Sequence, residues 1–206
     1  MAFPQGINFR DTAGFVTDGA NYDYIIQPYS GVHTAYPFTT AQGNVVGWEG
    51  TLTTVDSRDR DAGVDVRLAG INIVPTDSGA VFRVDLPSPG IYNIGFAAGD
   101  SNNQPVAWDL KDTTSLLAHL TTGTITSGEY KDATNTAYDV LVWPGSQTLV
   151  PFTFTTTILR LAPVGAGLSP VIASLYVAQV SASSTFVTSR MTIPLPAPRR
   201  TQVVMI

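Results

Sequence analysis

Apolar residues at every second position mark several strands in this chain. In residues 81–86, Phe82, Val84 and Leu86 alternate with Arg83 and Asp85, which puts the apolar set on one face of a strand. Pro87-Ser88-Pro89-Gly90 reads as a turn, because the prolines preset φ and Gly90 tolerates positive φ. Tyr92, Ile94 and Phe96 then alternate with Asn93 and Gly95, so the two runs are predicted to form a hairpin. Further strands are predicted at 7–10, 22–26, 45–48, 138–143, 152–161 and 171–180. The last is apolar on both faces and is therefore predicted to be central. Residues 112–120 fit one or two helical turns or a strand. Residues 56–65 are the most charged stretch, have no helical period, and are predicted to be a loop. Roughly eight to ten short strands with Gly/Pro turns between them predict an all-β domain. Its expected form is an antiparallel β-sandwich or jelly roll over residues 1–180.

Residues 181–206 change character. Pro194, Pro196 and Pro198 alternate, Arg199 and Arg200 follow, and the segment ends apolar through Val203 and Ile206. Alternating prolines favour an extended chain. The reading is a Pro-rich C-terminal arm whose apolar tip straps onto a neighbouring subunit, which makes a homo-oligomer the expectation.

Composition narrows the function. Charged residues are only 13% of the chain against 44% hydrophobic, and the net charge is −5. The sole basic run is the Arg199-Arg200 pair, so a phosphate-tracking nucleic-acid surface is not expected. The acids are almost all Asp; Glu49 and Glu129 are the two glutamates, and Lys111 and Lys131 the two lysines. There is no cysteine, which excludes disulfides, thiolate zinc sites and a cysteine nucleophile. No apolar run approaches the ~18 residues that span a bilayer, and no signal-peptide pattern opens the chain. No membrane partner is expected.

Candidate chemistry is sparse. The loop at 56–65 holds Asp56, Asp59, Asp61 and Asp65 with Arg58 and Arg60. Asp-rich loops bind calcium, but the EF-hand spacing is missing, so self-neutralising ion pairs are the stronger reading. His33 and His119 are the only histidines and do not match a zinc motif. No Gly-x-Ser-x-Gly elbow or lysine-bearing phosphate loop is present. No catalytic residue, metal or cofactor is therefore expected, and the chain is read as a non-enzyme. Trp48, Trp108 and Trp143 have two readings, sugar stacking or core packing, with core favoured. Tyr22, Tyr24, Tyr29 and Tyr36 lie in a loop-rich stretch and are the candidate glycan-contact aromatics.

Several motifs recur in a known order. They are Ile7-Asn8-Phe9, Asp59-Arg60, Phe82-Arg83-Val84-Asp85-Leu86, Gly90-x-Tyr92 and Gly99-Asp100. On these the chain resembles the galactose-binding-like, malectin-like β-sandwich modules. With Leu68-Ala69-Gly70-Ile71, Asp109-Leu110-Lys111-Asp112, Lys131-Asp132-Ala133-Thr134 and Trp143-Pro144-Gly145, it resembles modules of tailed-phage structural proteins. The resemblance covers about residues 7–180. It implies a virion protein, with head decoration (cement) as the first reading. The major capsid protein or other virion proteins would be its partners, and a trimer is expected by analogy. The alternative it implies is a carbohydrate-binding module of a phage tail or adsorption apparatus, with a glycan as partner.

Overall fold

The computed structural model describes residues 5–10, 25–26, 34–40, 43–53, 55–59, 70–99, 104–126, 128–137, 148–165 and 170–180. Among these residues fifteen strands form and no helix. In chain order they are β1 (Gln5–Arg10), β2 (Ile25–Ile26), β3 (Phe38–Thr39), β4 (Val45–Glu49), β5 (Asp56–Asp59), β6 (Gly70–Ile73), β7 (Val81–Asp85) and β8 (Gly90–Gly99). Then come β9 (Gln104–Asp112), β10 (Ser115–Ile125), β11 (Tyr130–Asp132), β12 (Val150–Phe154), β13 (Ile158–Pro163), β14 (Val171–Ile172) and β15 (Ser174–Gln179).

Two six-stranded sheets make the sandwich. One runs β11-β8-β15-β1-β2, with β12 also on β8; the other runs β10-β9-β13-β7-β4-β3. A small β14-β6-β5 sheet accompanies them. All strand pairs are antiparallel except β1 with β2. The inner faces meet through large rings, as expected when sheets bury aromatic area against each other. Phe9 of one sheet lies 4.9 Å from Phe82 and 5.9 Å from Trp48 of the other, ring centroid to centroid. Trp48 continues to Trp108 at 6.3 Å, and Trp108 Nε1 donates to the Val171 carbonyl of the small sheet at 3.1 Å. Trp48 and Trp108 are thus core residues.

The all-β antiparallel sandwich matches the expectation, with more strands than the eight to ten predicted. Several local expectations need correction. Residues 81–86 and 92–96 form no hairpin. β7 pairs with β4 and β13, whereas β8 pairs with β11, β12 and β15 in the opposite sheet. The apolar faces of both strands point into the same core, so the chain arches over it rather than folding back beside itself. Pro87 and Pro89 lack the N–H that a ladder needs, and the Tyr92 hydroxyl donates to the Ser88 carbonyl at 2.7 Å, holding the arch.

Residues 152–161 are likewise two strands in different sheets, β12 and β13, split by a turn at 155–157. Asp112 fixes that turn. Its carboxylate accepts from Thr155 N at 2.7 Å, from Thr155 Oγ1 at 2.6 Å and from Thr156 Oγ1. Residues 112–120 are not helical: Thr113 takes a φ of 58° at the tip of the β9–β10 hairpin. The charged stretch is not wholly loop either, because Asp56–Asp59 is strand β5 on β6, with Ser57 buried. The apolar run from 171 breaks at Ala173. Its second part, β15, is central as predicted, between β1 and β8. The predicted strand at 138–143 and the arm at 181–206 lie outside the described residues.

Candidate functional site

Period-two alternation that buries one face of a sheet lifts the other into solvent. On β7, Phe82 and Val84 point inward, leaving Val81, Arg83 and Asp85 outward. On β13, Leu159 and Leu161 are buried, leaving Ile158, Arg160 and Ala162 outward. On β9, Val106, Trp108 and Leu110 are buried, leaving Asp109 and Lys111 outward. The register places Gly47 opposite Arg83, Arg83 opposite Arg160, and Arg160 opposite Lys111. Three cations therefore cross three adjacent strands in one row.

Like charges directly opposite one another destabilise a sheet unless countered. Glu49 counters the first pair. Its Oε1 accepts from Arg83 Nη1 at 3.0 Å and Arg160 Nη2 at 3.2 Å, and its Oε2 accepts from Arg160 Nε at 2.6 Å. The Arg160 hydrogen bond, helped by Arg83 against the opposing effect of burial, holds the Glu49 carboxyl below the usual carboxylate range. Arg83 Nε also donates to Asp85 Oδ1 at 2.7 Å. Burial works against the Arg83 charge, but its bonds to Asp85 and Glu49 outweigh that and raise its pKa.

Tyr36 closes this half of the row. Its hydroxyl donates to Asp85 Oδ2 at 2.8 Å, and the Arg83 guanidinium stacks over its ring at 4.1 Å. Burial first, then the Asp85 hydrogen bond, raises the phenol pKa. Glycine is required beneath it. Gly47 takes a φ of 143°, and a Cβ there would lie 2.7 Å from Tyr36 N.

The second half of the row is open. An open depression of about 390 Å3 is lined by Val81, Lys111, Thr113, Thr114, Arg160 and Ala162. Arg160 Nη1 donates to the Thr113 carbonyl at 3.1 Å, fixing the rim. Lys111 Nζ lies 3.4 Å from Asp109 Oδ2, and Asp109 Oδ1 lies 2.5 Å from His119 Nδ1.

Of the candidate residues singled out in the sequence, Tyr36 and His119 lie beside this row, and neither lines the depression. Tyr22, Tyr24 and Tyr29 lie outside the described residues, as do His33, Trp143 and every named arm residue from Pro194 to Ile206. Among the described residues no three His, Asp or Glu side chains are grouped so as to hold a metal ion. Glu49, Arg83, Asp85, Lys111, Thr113 and Arg160 escaped the sequence reading as a site. One signal was available: glutamate and lysine are rare in this chain. One pair, Glu129 and Lys131, forms a local ion pair at 3.0 Å, which leaves Glu49 and Lys111 to be explained.

No protein-family model and no curated protein matches this chain. Solved structures do. The Bacillus subtilis protein YXIM aligns over 86% of this chain at 12% identity with a TM-score of 0.51. Bacteroides uniformis beta-glucuronidase 2 aligns over 86% at 10% identity with a TM-score of 0.50. The chain spans 40% and 18% of their respective lengths. A family 35 carbohydrate binding module from Clostridium thermocellum aligns over 68% of this chain and 95% of its own at 12% identity. Its TM-score is 0.38. At these identities the likeness establishes a shared fold: the chain is an all-β sandwich of a kind that recurs as one portion of longer proteins.

Proposed function

We propose that this chain is a carbohydrate-binding β-sandwich module with no chemistry of its own. The observation that carries the reading is the open depression over β7, β13 and β9. Its volume of about 390 Å3 falls in the range of ~300–1,000 Å3 typical of small-molecule sites. It sets hydrogen-bonding groups of Lys111, Arg160, Thr113 and Thr114 beside the apolar Val81 and Ala162. A sugar ring has both kinds of surface, hydroxyls around its edge and C–H groups on its faces. The fold shared with a portion of beta-glucuronidase 2, a sugar-acting enzyme by its name, supports the same reading. Binding of the full chain to a glycan array tests it. Retention of a defined glycan class, lost on mutation of the depression, is expected; retention of no glycan would refute it.

A second reading is a tailed-phage virion protein, decorating the head as a homo-oligomer with the major capsid protein as partner. Its support is the ordered run of framework motifs from Ile7-Asn8-Phe9 to Trp143-Pro144-Gly145. Quantitative mass spectrometry of purified particles tests it. Hundreds of copies per particle are expected for a coat, and absence from particles excludes that role.

A further inference from the structure

The cation row repeats one geometry twice and fills it once. Arg83 and Arg160 stand directly opposite in the ladder, and the Glu49 carboxylate accepts from both. Arg160 and Lys111 also stand directly opposite, yet among the described residues no carboxylate bridges them. The depression lies over this second pair. Both cations line it, and no acidic side chain does.

We infer that the depression is a carboxylate-binding subsite whose ligand is the carboxylate of an acidic sugar, a uronate; this rests on the glycan-binding reading above. The ligand carboxylate takes, between Arg160 and Lys111, the place that Glu49 takes between Arg83 and Arg160. Donors remain for it. Three nitrogens of Arg160 donate one hydrogen bond each, to Glu49 through Nε and Nη2 and to the Thr113 carbonyl through Nη1. A guanidinium carries five N–H groups, so two are left; the Lys111 ammonium carries three, and Asp109 Oδ2, 3.4 Å away, takes up one of them. Glu49 also grips Arg160 side-on, which pre-orients the fork and lowers the ordering cost of binding. The apolar Val81 and Ala162 and the exposed Thr114 give a sugar ring contacts that a bare anion cannot use. Charge-assisted bonds from two cations favour an acid over its neutral analogue by about tenfold or more.

The test is an NMR titration of the isotopically labelled full chain with three probes. They are a glucuronate-terminated disaccharide, its glucose-terminated neutral analogue, and sodium acetate. The acidic disaccharide is expected to shift the amides of Lys111, Thr113 and Thr114 and to bind about tenfold tighter than the neutral one. Lys111→Gln should erase that preference and Lys111→Arg restore it, while Lys131→Gln, on β11 of the other sheet, leaves it unchanged. Amide dispersion reports the fold of every variant in the same spectra. Equal binding of both disaccharides, or a preference that survives Lys111→Gln, overturns the subsite and leaves the glycan reading standing. Acetate binding as tightly as the acidic disaccharide overturns the sugar assignment. Silence from all three probes overturns the subsite, and only a blank array would take the glycan reading with it.

Discussion

The two faces of the β7–β13–β9 strands are built from the same backbone by different physics. Inward, Phe82, Trp108, Leu159 and Leu161 are fully buried, and the rings of Phe9 and Trp48 pack against Phe82 and Trp108. Outward, Arg83, Arg160 and Lys111 are partly exposed and owe their positions to charge. Neither face needs the other's chemistry to satisfy its own groups. The inner face therefore carries most of the stability, while the outer face is free to carry recognition.

Substitutions that respect this division should separate stability from binding. Phe82→Ala is the largest break, with an expected loss of about 3–5 kcal/mol in chemical denaturation. Next is Asp112, which points inward yet is charged. Removing it strands the hydroxyl and amide of Thr155, and Asp112→Ala should cost about 3 kcal/mol. Glu49→Gln is smaller, about 1 kcal/mol, because the carboxylate is partly solvated and its arginines keep some water. A double-mutant cycle of Glu49→Gln with Arg160→Gln should show coupling, and additivity would mean that the ion pair orders nothing. Smallest is Tyr36→Phe, about 0.5 kcal/mol or less, since Asp85 keeps Arg83 as a partner.

Acid should expose the same contrast. Burial pushes the Asp112 carboxyl up, but the hydrogen bonds from Thr155 and Thr156 outweigh it and hold it below the ordinary carboxylate range. Glu49 is lowered chiefly by Arg160. A carboxyl depressed on folding stabilises the native state above its unfolded pKa and loses that contribution as pH falls through the folded value. Stability should therefore drop as the pH is taken below the ordinary carboxylate range. In Asp112→Ala the denaturation midpoint should depend less steeply on pH there, and an unchanged slope would remove Asp112 from the account.

Strands were legible in the sequence where one face is apolar, as at Phe82 and Val84 or Tyr92 and Ile94. Neighbours were not. Alternation states which side chains face inward but is silent on which strand lies alongside, so the arch at Pro87–Pro89 reads like a hairpin. The turn that divides 152–161 was hidden because its anchor, Asp112, is 43 residues from Thr155 in sequence. The charged row was hidden for the same reason, since Glu49 and Arg160 are 111 residues apart. Tyr36 was singled out as a glycan-contact ring, whereas its surroundings, Arg83 over the ring and Gly47 against its backbone, come from β7 and β4.

The place of β15 has a consequence for biosynthesis. It is the last of the fifteen described strands in chain order, yet it sits between β1 and β8, with Gln5 opposite Val177 and Phe96 opposite Leu175. Until a ribosome has polymerised residues 174–179, β1 has no antiparallel neighbour and β8 has one open edge. The growing polypeptide must carry those unpaired edges until then, the condition under which strands pair with the wrong chain. Closure of this sheet has to wait for residues 174–179, and the long loop it must close makes it slow. Expression yield should then respond more to holdase chaperones and lowered temperature during synthesis than to changes on the charged outer face.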